Sequence, residues 1–205
     1  MSGKIDNLSR LPTALSPTRE GGRLSAPGRM DMERAPLAKA RRPTVCLLLL
    51  GGNQGDRRGH LRRALAGLAN IPQSRVLTRS HVYETAPVGP SSRPYLNLAV
   101  EFSTRHSPIG LLTELKRLEA LAGRRPLGRW TARPLDIDIL RYGNLKLRTA
   151  WLTLPHPRIL DRAFALAPLS ELAAHWKPDG KRSIAGQLRR LNPRPGTVRI
   201  YSHGL

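Results

Sequence analysis

Cysteine is nearly absent: Cys46 is the only one in 205 residues, which excludes an intramolecular disulfide and suits a reducing compartment. Its setting, Val45-Cys46-Leu47-Leu48-Leu49-Leu50, predicts a buried small apolar residue. Aromatic residues amount to 4%, so few are available to fill a core, and none are grouped in the central-strand pattern of an RNA-recognition motif. No stretch approaches the roughly 18 to 20 consecutive apolar residues of a membrane span, and the first 43 residues lack the apolar centre of a secretory signal. A soluble, cytoplasmic chain is expected.

Acidic residues are scarce as well. Fourteen Asp and Glu face 35 Lys and Arg, a formal net charge of +21, which favours anionic partners. Nucleic acid, an anionic membrane surface and a small polyphosphate such as ATP all fit that charge, and charge alone does not rank them. With so few carboxylates, any that falls in a patterned segment invites a question about its role.

Residues 1–43 carry no sustained apolar period and are punctuated by Pro, Gly, Ser and Arg, which predicts a disordered basic tail. From Thr44 onward apolar runs recur at element-length spacing, so the domain is placed at 44–205. No second, barrel-sized enzyme is expected to be fused to it.

Val45 to Leu50 reads as a buried strand entering the tight loop Gly51-Gly52-Asn53-Gln54-Gly55-Asp56. A helix capped by Asp56 should follow, with Leu61, Ala64, Leu65 and Leu68 as its apolar stripe. Residues 74–85 alternate as one strand would, and after a cluster of Pro, Gly and Ser a second β-type run spans Tyr95 to Thr104. Ser107-Pro108 opens a helix with Leu111, Leu115, Leu118 and Ala122 on one face, widened by Leu112 and Leu121, and Gly123 ends it. Leu135 to Tyr142 reads as a strand and Asp161 to Leu172 as a short helix. The last thirty residues carry weaker signals. Helices and strands interleave without strict strand–helix–strand repetition, so the expected class is a layered α+β domain.

The strongest chemical signal is Arg133-Pro134-Leu135-Asp136-Ile137-Asp138-Ile139-Leu140. On a strand Asp136 and Asp138 project together while Leu135, Ile137 and Ile139 enter the core. Two carboxylates a few ångströms apart repel unless a cation joins them, and a hard divalent ion sharing its shell with phosphate oxygens suits that pair. The plainer alternative is a solvent-facing pair salt-bridged to nearby arginines. Arg124, Arg125, Arg129, Arg133, Arg158 and Arg162 bracket the pair, and their guanidinium forks match phosphate oxygens. The glycine loop after the first strand lacks the Gly-Lys-Ser/Thr ending of a P-loop and the spacing of a dinucleotide fingerprint, so a bound nucleotide would use another route.

Four ordered segments resemble those of the 6-hydroxymethyl-7,8-dihydropterin pyrophosphokinase family: residues 50–57, 83–89, 123–138, and 154–158 with 162–164. Pro94-Tyr95-Leu96-Asn97 is also similar, and the resemblance covers about 44–178. It implies a ferredoxin-like three-layer α/β/α sandwich around a mostly antiparallel sheet, and transfer of pyrophosphate from ATP to the pterin hydroxymethyl group with release of AMP. By the same resemblance Asp136 and Asp138 would hold two Mg²⁺ ions. Arg124, Arg129, Arg133, His156 and Arg158 would contact ATP, Arg162 would close over the reacting groups, and Trp130 would belong to the catalytic loop. Asn97, with the chain around Thr85, Pro87 and Val88, would read the pterin edge, while Tyr95 and Phe164 would sandwich its ring. A flat ring with a polar edge suits aromatic faces and one amide.

The chain departs from the family pattern at Gly52, where Ser is usual, at Thr131-Ala132 in place of Gly-Pro, and at Arg93 in place of Gln. The loops before Tyr95 and Trp130 are each one residue shorter. A monomer binding ATP and the pterin is expected. The rival readings are a catalytically weakened relative and a basic ferredoxin-like nucleic-acid-binding module.

Overall fold

The apolar run near the start of the domain becomes the centre of the sheet. In the computed structural model, which describes residues 42–86, 93–123, 133–194 and 196–205, strand β1 (Thr44–Gly52) is buried from Cys46 to Gly52. Burial on both faces is what a continuous apolar strand requires, and Cys46 lies fully inside, its thiol pushed up to about 12 by that burial.

The other strands arrange themselves around β1. Strand β4 (Tyr95–Thr104) pairs with one edge and β5 (Asp136–Tyr142) with the other, both antiparallel. The far edge of β4 is shared end to end by β2 (Ser74–Arg79) and β3 (Tyr83–Thr85), and β8 (Val198–Ile200) pairs outside β3. All the described pairings in this six-stranded sheet are antiparallel. A small ladder of β6 (Leu147–Arg148) and β7 (Thr153–Leu154) stands apart.

The single strand expected over 74–85 is broken at Ser80. Its backbone N–H donates to the Ala99 carbonyl (3.0 Å), and its hydroxyl accepts from the Ala99 N–H (2.9 Å), so the side chain takes over part of the ladder.

Helices α1 (Arg57–Ala69) and α2 (Pro108–Leu121) pack on one face. The expected caps form: Asp56 accepts from Gly59 N–H and Ser107 from Gly110 N–H. Leu61, Ala64 and Leu68 of α1, and Leu111, Leu115 and Leu118 of α2, are buried against Leu48, Leu50, Leu98, Val100 and Phe102. Each such leucine contributes about 1.5 to 3 kcal/mol through burial. Leu121, expected to widen the α2 stripe, is instead 73% exposed, while Leu118 and Ala122 of the same turn pack on the core.

The opposite face carries α3 (Ala163–Ala173), with α4 (Ile184–Leu191) packed on it. The helix expected from Asp161 therefore starts at Ala163, preceded by a 3₁₀ turn over Ile159–Asp161. Leu166 and Leu169 meet Leu47, Leu49, Ala99 and Leu140, and Gln187 of α4 anchors the turn by donating to the Leu160 carbonyl at 2.8 Å. The result is an α+β sandwich of helices, antiparallel sheet and helices.

Strand β5 lies at the sheet's edge, and its outer polar groups find partners elsewhere. Glu119 of α2 is 1% exposed and accepts from the Ile137 N–H at 2.8 Å, while the His156 N–H donates to the Leu140 carbonyl at 3.0 Å. Lys116 pairs with the same Glu119 oxygen at 2.7 Å. Replacing Glu119 by Ala strands a buried N–H and should cost about 1 to 3 kcal/mol, against less for Gln, which keeps an acceptor. Urea unfolding checks this; equal stabilities for wild type and Glu119→Ala would show that β5 does not depend on the contact.

Candidate functional site

Register brings distant residues into one row. Gly51 of β1 lies opposite Asp136 of β5 on one side and Asn97 of β4 on the other, and Asn97 lies opposite Tyr83 of β3. Cross-strand partners share a face. Asp136 and Asn97 therefore sit on the α3 face two strand spacings apart, about 10 Å, with no side chain between them. The next row along contains Thr85, Tyr95 and Val198, which are also mutual partners.

Over these rows lies a cavity of about 880 Å³. At the β5 end Asp136, Asp138, Arg133, Arg158, Asp161 and Arg162 line it. At the β3 and β8 end its walls are Thr85, Ala86, Tyr95, Asn97, Phe164, Thr197 and Val198. The floor at β1 is Leu49, Gly51 and Gly52.

Both glycines of that floor are required by close approach. A Cβ on Gly51 would lie 2.5 Å from the Asn97 side-chain oxygen. One on Gly52 would lie 2.2 Å from the Pro134 carbonyl oxygen, so on this backbone there is no room for the serine usual in the resembled family. The neighbouring Asn53, 1% exposed, completes the junction: its N–H donates to the Arg133 carbonyl at 3.0 Å, and its side-chain oxygen accepts from the Arg133 N–H at 2.9 Å. The glycine loop thus clasps the segment leading into the strand that carries the aspartates. Asn53 and Glu119, neither singled out from the sequence, fix the start of β5, one through Arg133 and the other through Ile137.

Asp136 and Asp138 emerge on one side of β5 while Ile137 and Ile139 enter the core, as alternation predicts. Arg133 donates to Asp136 at 2.8 Å. Burial and the neighbouring Asp136 charge raise the Asp138 carboxyl above its ordinary range, against the opposing pull of Lys116, Arg162 and Arg133. Two neighbouring carboxylates on one face of a strand are chemically suited to a divalent cation. Among the described residues no group of three or more His, Cys, Asp and Glu gathers as a metal cage, so an ion here would complete its shell with oxygens from water or a ligand.

The 3₁₀ turn and the start of α3 place the basic wall. Ile159 and Leu160 are buried and leave Arg158 and Arg162 facing the cavity. The Arg162 guanidinium lies 5.6 Å from the centre of the Phe164 ring, a cation–π contact that orients both groups. Phe164 and Tyr95 are half-buried on the cavity, and Phe164 also packs against the core beneath α3. Asn97, 3% exposed, donates its amide to the Thr85 hydroxyl at 2.9 Å. Of the residues singled out from sequence, Arg124, Arg125, Arg129, Trp130, Pro87 and Val88 lie outside the described residues, as do residues 1–41. His156 does not line the cavity; it sits beside β5 with its Nδ1 accepting from the Arg158 N–H at 3.2 Å. Thr197 and Val198, at the end of the chain, join the lining without having been foreseen.

Fold and site together define an α+β protein with a phosphate-suited acidic and basic end joined to an aromatic and amide end. Residues 47–174 match the model of the 7,8-dihydro-6-hydroxymethylpterin-pyrophosphokinase family, and the chain belongs to that family. It is 38% identical over 128 residues to the 2-amino-4-hydroxy-6-hydroxymethyldihydropteridine pyrophosphokinase of Haemophilus influenzae, covering 62% of this chain and 80% of that one. To the protein of the same name from Methylorubrum extorquens it is 38% identical over 154 residues, covering 73% of this chain and 95% of that one. The solved wild-type HPPK-DHPS of Plasmodium falciparum shares the fold, with a TM-score of 0.60 at 14% identity over 78% of this chain and 46% of that one. The chain spans less than half of that longer protein.

His156 supplies a pH test. Burial, then the Arg162 and Arg158 charges, pushes its pKa from the ordinary 6.5 down to about 4. The unfolded chain therefore binds this proton first, so the stability His156 contributes is complete above pH 6.5 and is lost as pH falls through about 4. Thermal melts at pH 7 and pH 4.5 should show a larger drop for wild type than for His156→Asn, which keeps an acceptor but does not titrate. Equal drops would place the titration elsewhere.

Proposed function

We propose that this chain transfers the pyrophosphoryl group of ATP to the hydroxymethyl oxygen of 6-hydroxymethyl-7,8-dihydropterin, releasing AMP. The observation that carries the reading is one cavity with carboxylates and arginines at one end, an amide and two aromatic rings at the other, and bare glycine between. The names of the relatives from Haemophilus influenzae and Methylorubrum extorquens support it.

In this reading the pterin ring lies between Tyr95 and Phe164, and Asn97, held by Thr85, pairs with its polar edge. The triphosphate lies along Arg133, Arg158 and Arg162; His156, assigned to ATP by the family resemblance, sits behind this wall with its Nδ1 accepting from the Arg158 N–H. The hydroxymethyl oxygen attacks the β-phosphorus in line, the bond from that phosphorus to the α,β-bridging oxygen breaks, and AMP departs with that oxygen. Asp136 and Asp138 would hold two Mg²⁺ ions, which would supply charge neutralisation on the phosphates. Arg162, aligned by Phe164, offsets charge on the transferring group, and holding both reactants across the glycine row supplies proximity. Arg124, Arg129 and Trp130, with Pro87 and Val88, complete the assignment from the family resemblance. No described helix is long and apolar enough to cross a membrane, and a cytoplasmic monomer fits this reading.

A coupled assay for AMP tests it. AMP should form only when ATP, Mg²⁺ and the hydroxymethyl dihydropterin are all present, and Asp136→Ala or Asp138→Ala should lower turnover by roughly two or more orders of magnitude with folding retained. Pterin-independent AMP formation, or no turnover by a folded wild-type chain, would overturn the reading.

A further inference from the structure

The C-terminal strand lies beyond the residues 47–174 that match the family model, yet it forms a wall of the cavity. Strand β8 pairs with β3 so that Val198 lies opposite Thr85, and Ala86 donates its N–H to the Thr197 carbonyl at 2.9 Å. Thr85 is the residue that accepts the Asn97 amide. Thr197 and Val198 therefore stand next to the groups assigned to the ring edge, and they close that end of the cavity.

Three residues at an outer edge make few backbone bonds, and such strands open readily. The structure ties this one from behind. On the face opposite the cavity, Arg199 of β8 lies opposite Glu84 of β3 and donates to its Oε2 twice, from Nη2 at 2.6 Å and from Nε at 3.2 Å. The other oxygen, Oε1, accepts from Arg57 Nη1 at 3.2 Å, and the same Arg57 nitrogen donates to the Pro94 carbonyl at 2.8 Å, just before Tyr95. The Glu84 side chain is 13% exposed and Arg199 67%, so the carboxylate is sheltered while the guanidinium lies over it as a clip. Hydrogen bonds from Arg199, and then from Arg57, hold the Glu84 carboxyl below its ordinary range despite burial. One charged cluster thus connects the start of α1, the entry to β4, β3 and β8.

We propose that Arg199 is a positioning residue for the pterin end of the cavity: through Glu84 it holds β8 on β3, so that Thr197 and Val198 wall in the ring beside Thr85 and Asn97. The assignment rests on the reading that the pterin occupies this end. It makes the end of the chain part of the substrate site, although Arg199 itself points away from that site.

Because Arg199 is largely exposed and lies outside the core, Arg199→Ala should leave the chain folded, which a thermal melt verifies. Steady-state kinetics on the full chain then separate positioning from general weakening. The KM for the pterin should rise roughly tenfold in Arg199→Ala while the KM for ATP stays within about twofold, and Arg199→Lys should recover most of the loss. An unchanged pterin KM, or equal rises for both substrates, would overturn the assignment while leaving the functional reading intact. A wild-type chain with no pterin-dependent turnover would overturn the functional reading first and this assignment with it.

Discussion

The register of β1 between β4 and β5 is the constraint on which the site depends. Because Gly51 lies opposite both Asp136 and Asn97, one row of the sheet carries a carboxylate, a gap and an amide. A slip by one residue would turn every one of these side chains to the other face. The seven buried residues from Cys46 to Gly52 hold that register, since Leu48 and Leu50 must face α1 and α2 while Leu47 and Leu49 must face α3. The core thus determines which groups can meet in the cavity.

Supports from outside the cavity then fix each end. At β5, Asn53 holds the Arg133 backbone just ahead of the aspartates and Glu119 holds the Ile137 N–H between them, so the carboxylates are placed by backbone contacts. At β3, the Arg57–Glu84–Arg199 cluster works from the opposite face. Only at β5 does a side chain stand in for a missing neighbour strand, Glu119 accepting from the edge Ile137 N–H, whereas the cluster at β3 joins side chains across two strands that are already paired.

Signals that act locally were legible in the sequence. Asp56 and Ser107 announced two helix starts, the leucine run announced β1, and the alternation around Asp136 and Asp138 gave their common face. Features decided by tertiary contact were not. Gly52 reads as a turn residue until the Pro134 carbonyl is seen against it, and Glu119 reads as one more surface charge unless its place among Leu111, Leu115 and Leu118 is weighed. The break at Ser80 depends on Ala99, nineteen residues away. Strand β8 has only three residues and no strong pattern, so its place beside Thr85 comes from pairing alone.

The central claim is that the cavity has two chemically separate ends joined across Gly51. Equilibrium titration of the folded chain with the pterin, and separately with a non-hydrolysable ATP analogue and Mg²⁺, addresses it most directly when Asn97→Ala and Asp138→Asn are compared. The account predicts a crossed pattern: Asn97→Ala loses about 1 to 3 kcal/mol of pterin affinity and keeps the nucleotide, because polar ring atoms are left unpaired, whereas Asp138→Asn weakens the nucleotide and keeps the pterin. Equal weakening of both ligands by either substitution, or loss of the same ligand in both, would contradict it.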